Sequence, residues 1–512
     1  MNRKLPSRRT LLQGAAAASL AVPFSGLYTR RAAALTRMEP IPSPYGPVAP
    51  VRDQITGLPL LQLPQGFTYQ TFGWSGDLMD DGNPTPIDHD GMAVVRSRLV
   101  NGQPEFTLVR NHEDKVNPAI GTIQAAAIYD TAEVDDDGDI GGLSGGTTNL
   151  IFRGGRFVSA MPSLGGTYDN CAGGPTPWGT WLTCEEDLAD FSDQGGRAHG
   201  YVFEVAADPG ETSGNPIIGM GRMDHEAVAY DPVSGAIFLT EDNRNIAGLY
   251  KFEPADTSKR LGSLEQGGTL FMAKAVGEDR LDLLDPIMGD SYQIEWVEIE
   301  DPDMAPAEFE EYHAEGPGET ASGPFLQGRE RGALRFSRLE GCWYSASDGL
   351  IYLVDTSSGI GSDEEDGVLN EPGYGDGSVW TLDPLSNRLT CIYQSANASA
   401  GNNFDNVTVS PRGGVLLCED GGGFEDAFGL GERLMGLTPA GETYLFAKNN
   451  IMLSETDIRT AGKSLDFIEA GDHRTNEWAG ATFDPSGRVL FINIQDPGIT
   501  FAITGPWERG LL

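Results

Sequence analysis

EAVAYDPVSGAIFLTED, residues 226–242, is the stretch on which the fold turns. It reads as an acid, a short apolar run, a turn built from Asp, Pro, Ser and Gly, a second apolar run, and two closing acids. Two β-rich runs around such a turn predict a hairpin. A hairpin returns its ends to one place, so the opening and closing acids lie together. The same unit recurs as EGCWYSASDGLIYLVD from Glu340, DNVTVSPRGGVLLCED from Asp405 and EWAGATFDPSGRVLFINIQD from Glu477. Two looser copies precede them. One runs from Asn170 through PTPWGTW to Glu185 and Glu186. The other pairs HDGMAVV from His89 with FTLVRNHED ending at Asp114.

Six such units predict an all-β, six-bladed β-propeller with long loop and short helical insertions. Radial packing would bring the end acids of all six hairpins to one pocket. The 67 Gly and 32 Pro supply turns in plenty; they suit a β-sandwich too, and the periodic acid-to-acid unit favours the propeller. Residues 256–330 form the longest insert, with helical character expected from Asp301 to His313. Ser362–Gly367 reads as a solvated acidic loop. Residues 35–512 are expected to form a single domain.

Residues 1–34 read as a targeting segment. Ser7-Arg8-Arg9-Thr10-Leu11-Leu12 has the form of a twin-arginine signal core, an apolar Ala-rich run follows to Phe24, and Ala32-Ala33-Ala34 offers a small-residue cleavage site. The run is short for a membrane span of about 20 residues. The expected location is therefore periplasmic or secreted, with the twin-arginine machinery as a partner and no stable membrane anchor.

The chain carries 75 acidic and 35 basic side chains, a net charge of -40. Cleavage would deepen this, because Arg3, Lys4, Arg8, Arg9, Arg30 and Arg31 leave with no acid. Such a surface repels nucleic acid and anionic lipid. Crowded carboxylates invite cations instead. The five cysteines (171, 184, 342, 391 and 418) leave at least one thiol unpaired within the chain, and no CxxC suggests a zinc site.

Several residues have the chemistry for a metal pocket. Asp169-Asn170-Cys171 sets an acid and a soft thiolate beside Gly173 and Gly174; thiolate suits iron or zinc, carboxylate suits calcium or iron. Asn111 and Glu113, two apart on a strand, point to one side. Glu226 opens the third unit. Arg338 and Glu340 also share a side, and their guanidinium can fork onto a phosphate or onto the Glu340 carboxylate. Glu185, Glu241, Asp355 and Glu419 align in phase on the second strands, as ligands or as groups that orient ligands. Asp420 and Glu477 belong to the last two units. Glu133–Ser144 has part of a calcium-loop spacing but lacks the closing Glu.

These motifs resemble the PhoX family of bacterial alkaline phosphatases. GGTTNL from Gly145, DNCAGGPTPWGTWLTCEE from Asp169, DHEAV from Asp224, RLEG from Arg338 and the twin-arginine signal carry the resemblance, which spans nearly the whole mature chain. It implies a six-bladed propeller that hydrolyses small phosphate monoesters with two Fe3+ and three Ca2+ ions. By resemblance, Cys171, Glu226 and Glu340 would hold iron, Asn111, Glu113 and Asp169 the calcium–iron side, and Arg338 the phosphoryl group. Glu185, Glu241, Glu419, Asp420 and Glu477 are further metal candidates. The expected protein is a monomer. Other readings are a non-catalytic calcium-binding propeller, or a phytase or phosphodiesterase on a similar fold.

Export is expected to depend on Arg8 and Arg9. Replacing both with Lys should strand the precursor inside the cell, read by fractionation. Normal export of that variant refutes the twin-arginine reading.

Overall fold

A computed structural model of the chain describes residues 39–136, 138–309, 320–363 and 368–512. The signal segment lies outside them, as do parts of the stretches at 301–313 and 362–367. The architecture is largely all-β. Each repeat unit forms a hairpin. In chain order these pair β1 (His89–Val100) with β2 (Gln103–His112), β3 (Asn170–Pro175) with β4 (Thr180–Glu185), and β5 (His225–Tyr230) with β6 (Ile237–Glu241). Then come β7 (Leu339–Tyr344) with β8 (Ile351–Asp355), β9 (Phe404–Val409) with β10 (Val415–Glu419), and β11 (Trp478–Phe483) with β12 (Val489–Ile494). The turn acids fold the turns: Asp231 accepts from the backbone N–H of Val233 and Ser234 at 2.9 and 3.0 Å.

Further strands widen each sheet outward. The third and fourth hairpins share one nine-stranded sheet, because Ser291–Ile299 pairs on one side with Gly268–Ala275 and on the other with Arg388–Gln394. Its end strands, β5 and β7, lie against each other, so this sheet nearly closes on itself. The chain's start is woven into its end. Thr68–Phe72 pairs with Ile499–Thr504 beside β12, and Leu61–Pro64 joins the sheet of β9 and β10.

The six leading strands touch in a ring: β1 against β3, then β5, β7, β9, β11 and back to β1. Apolar cores fill the spaces between neighbouring hairpins. Val109 meets Trp181 and Phe203; Leu182 meets Val228 and Leu239; Phe238 meets Leu353 and Trp380. Val354 meets Val407 and Leu417; Leu416 meets Trp478 and Leu490; Phe491 meets Phe106 and Phe152. Burial of these faces is the main stabilising term.

The helical expectation for Asp301–His313 fails over its described part. Pro302 and Pro306 cannot serve a helix interior, and the chain instead makes a short strand, Ala307–Glu308, paired with Thr320–Ala321. A helix starts later, at Gly323–Glu330, with Ser322 capping it by accepting from the Phe325 N–H. Glu133–Asp136 pairs antiparallel with Asp139–Gly142. All five cysteines are free and buried. Among the described residues no helix is long and apolar enough to cross a membrane.

Consecutive hairpins are clasped by one or two polar contacts at the ring's centre. Asn111 donates to the carbonyls of Cys171 and Ala172 at 2.9 and 2.7 Å, and the Cys171 thiol donates to His225 O at 3.2 Å. Thr240 donates to Glu340 O and Thr356 to Phe404 O, both at 2.6 Å. Asn406 Oδ1 accepts from Gly480 N at 2.9 Å, and Asn493 donates to Asp90 O at 2.6 Å. The last contact closes the ring. Asn493→Ala is expected to cost about 1–3 kcal/mol, the range for orphaning a buried polar group, read as a lower urea midpoint at unchanged slope. An unchanged midpoint would show that the clasp carries no stability.

Candidate metal centre

The clasped segments are β-bulges, and they aim the site. In five hairpins the ladder is regular at the first residue: His89 faces His112, Asn170 faces Glu185, His225 faces Glu241, Leu339 faces Asp355 and Phe404 faces Glu419. Two residues then stand opposite one, and pairing resumes at Met92, Gly173, Val228, Cys342 and Val407. A bulge re-aims the side chain it carries. The first bulged residues are Asp90, Cys171, Glu226, Glu340 and Asp405. In the sixth hairpin the bulge falls on Gly480–Ala481, and Glu477, just before β11, supplies the acid. A Cβ on Gly480 (φ +62°) would stand 2.5 Å from Asp90 O, and one on Gly91 2.5 Å from the Ala172 Cα. Only glycine lets these backbones approach so closely.

The residue just past a second strand adds Glu113, Glu186, Asp242 and Asp420. Donor atoms gather in three sets, each within 4.8 Å: Cys171, Glu186 and Glu226; Asp90, Glu113 and Glu477; Asp405, Asp420 and Glu477. Carboxyls also meet in hydrogen-bonding pairs: Asp90 with Glu113, Glu186 with Asp242, Glu340 with Asp405, and Asp420 with Glu477. Burial first, then neighbouring acids, push Glu113, Glu186, Glu226 and Glu477 well above the ordinary carboxylate range. Burial likewise raises the Cys171 thiol. Burial pushes Asp242 up too, but Arg338 above all, and Arg244 with it, bring it below the usual range. Asp90 Oδ1 is buried and has no hydrogen-bond partner among the described residues. Oxygen donors around one thiol, packed against each other and partly unsatisfied, fit hard cations beside a softer one.

The remaining sequence-named residues are placed differently. Glu185 accepts from the N–H groups of Tyr168, Gly200 and Tyr201 and lies 2.7 Å from His199 Nδ1. Glu241 accepts from Gly248 N and from the Tyr250 and Ser322 hydroxyls. Glu419 takes both prongs of the Arg433 fork at 2.6 and 2.7 Å. All three therefore spend their oxygens on the sheet framework, and none joins the donor sets. Asn111 is likewise saturated: its Oδ1 accepts from Trp181 Nε1 and Thr183 Oγ1 at 2.8 and 2.9 Å. Asp169 sits at φ +54° and pairs with Lys115 at 3.3 Å. Arg338 grips Asp242 through Nε and Nη2, at 3.0 and 2.6 Å, and its Nη2 lies 2.8 Å from Glu340 Oε1. His112 and His225 hold backbone carbonyls. Sequence reasoning did not select Asp90, Glu186, Asp242 or Asp405. The available signal was parity: Glu185 and Glu186 alternate, so only one of them can face the axis.

Hairpins whose bulges pool carboxyls and a thiol make a candidate metal site in a largely all-β architecture. The chain belongs to the PhoX family: the family model described as alkaline phosphatase PhoX matches residues 43–159 and 156–498. Among solved structures it is similar to Pseudomonas fluorescens PhoX in complex with vanadate, a transition state analogue. The identity is 16%, the TM-score 0.58, and the match covers 93% of this chain and 99% of that one. A Xanthomonas campestris gluconolactonase matches more distantly, at 10% identity and TM-score 0.36, over 90% and 98%. No curated protein matches the chain.

Crowded acids make a signed pH prediction. Asp169 and Asp420 are pushed to about 6, and Asp88 to about 8, by burial first and then chiefly by acidic neighbours, with Lys115 opposing at Asp169. Such groups bind protons more tightly folded than unfolded. Their contribution is full below roughly pH 4 and is lost as pH rises through 6 and 8. Chelator-treated protein is expected to melt at progressively lower temperature across that window, and Ca2+ at pH 8 to raise the midpoint again. A flat profile, or no response to the cation, would overturn the reading of the crowded acids around Asp420 as a cation pocket.

Proposed function

We propose that the protein is a metal-dependent alkaline phosphatase that hydrolyses phosphate monoesters, built as a six-bladed β-propeller from residues 35–512 and exported by the twin-arginine route to the periplasm or beyond. Family membership supports hydrolase chemistry in general. The observation that carries the finer reading is Arg338 standing among the pooled acids. A guanidinium with part of its fork free beside a cation pocket suits a phosphoryl group.

In this reading Cys171, Glu186 and Glu226 would hold one cation, expected to be Fe3+ because of the thiol donor. Asp90, Glu113, Asp405, Asp420 and Glu477 would serve the remaining ions, Ca2+ and a second Fe3+, and Glu340 pairs with Arg338 beside Asp405. Bound cations supply Lewis-acid stabilisation to the phosphoryl oxygens. The chain's own part is positioning. Asp242 fixes Arg338 through Nε and Nη2 and leaves Nη1 for a phosphoryl oxygen. Arg338 is only about a quarter exposed (26%), so such a bond would form largely out of water, where it counts most in the transition state. The buried thiol and carboxyls must shed protons to take cations, which suits an alkaline working range.

Arg338→Ala is expected to lower kcat/KM for a monoester by about 100-fold or more, as loss of one transition-state donor does. It also leaves Asp242 without its partner, so the thermal midpoint should fall. Arg338→Lys separates the two roles: the charge returns, the fork does not, and activity should recover only in part. Full activity in Arg338→Ala, with metal content unchanged, would rule out the substrate role, and full activity in Arg338→Lys would rule out the need for the fork.

A further inference from the structure

The cations around this pocket are nearly all committed to protein acids. Lys115 Nζ lies 2.8 Å from Asp187 and 3.3 Å from Asp169. Arg338 serves Asp242 and Glu340, and Arg433 serves Glu419. Arg244 is different. It follows Asp242 by two residues and is half-buried. Its guanidinium lies over the Tyr374 ring, 5.2 Å from the centroid, and reaches Gly373 O only at 3.5 Å. Its charge helps to lower Asp242, but among the described residues no carboxylate lies within salt-bridge distance of it.

The backbone places Arg244 beside the phosphoryl-facing arginine. Ser337, the neighbour of Arg338, donates to the same Gly373 carbonyl at 2.9 Å. The Asn245 N–H donates to Ser337 O at 2.7 Å. The loop carrying Arg244 is thus tied to the start of β7. Stacking on Tyr374 holds the plane of the guanidinium and leaves its edge for a ligand. In a chain with 75 acids, a substrate bearing a second negative charge is repelled unless a cation is reserved for it.

We propose that Arg244 is a specificity-determining residue that holds a second anionic group on the alcohol portion of the ester. The preferred substrates are then phosphate monoesters that carry a further carboxylate or phosphate. This rests on the phosphatase reading above.

The test compares 3-phosphoglycerate with glycerol 3-phosphate, which differ in the carboxylate, on the metal-loaded protein. Wild type is expected to favour the carboxylate ester. In Arg244→Ala the ratio of the two kcat/KM values should fall about 10-fold, the worth of one charge-assisted hydrogen bond, and the change should lie in KM. Arg244→Lys should restore the ratio in part. Glycerol 1,3-bisphosphate tests whether phosphate serves as the second anion. An unchanged ratio, or an equal fall for both esters, overturns the proposal. If wild type hydrolyses neither ester, the phosphatase reading fails, and calorimetric titration with the same pair still decides the role of Arg244. A binding preference that survives Arg244→Ala rejects it.

Discussion

Everything at the centre of this molecule depends on adjacent backbones meeting at their bulges. Each bulge turns one side chain inward, and each is clasped by a group from the preceding hairpin. The clasps are one or two hydrogen bonds each, worth about 1 kcal/mol apiece. Burying even one unpaired carboxylate costs several. The clasps alone therefore cannot hold so many acids together. The apolar cores between neighbouring sheets supply that energy, and the clasps decide where it is applied. Stability comes from the periphery and geometry from the middle.

Much of this was legible in the residues. The acid-to-acid units marked the hairpins because strand, turn and strand leave a local signature. Cys171, Glu113, Glu226, Asp420 and Glu477 were named from the ends of the repeat units, and they fall in the donor sets; Glu185, Glu241 and Glu419 were named on the same ground and serve the framework instead. The choice between neighbours was not legible. Glu185 and Glu186 differ by one residue, yet one ties Tyr168, Gly200 and Tyr201 while the other joins Cys171 and Glu226. That choice rests on register, and register shifts at a bulge that no residue type announces. Asn111 shows the same limit. Its amide looks like a ligand in sequence, and in the fold its oxygen and nitrogen serve Trp181, Thr183, Cys171 and Ala172.

Arg338 shows how a sequence pattern can understate its own environment. Its spacing from Glu340 pointed to one partner. The tighter partner, Asp242, comes from the hairpin before it, almost a hundred residues away in sequence (96). A contact of that separation arises only when the ring is assembled. The arginine's orientation is thus a property of the whole fold rather than of the strand that bears it.

The close approach that aims the acids also crowds the axis with backbone. Gly91, Ala172, Ala227, Gly341 and Gly480 line a space of about 20 Å³ there, room for roughly one water. Under the proposed reaction the inorganic phosphate left behind sits where the next ester must land. The enzyme's turnover would then be governed by how readily it lets go.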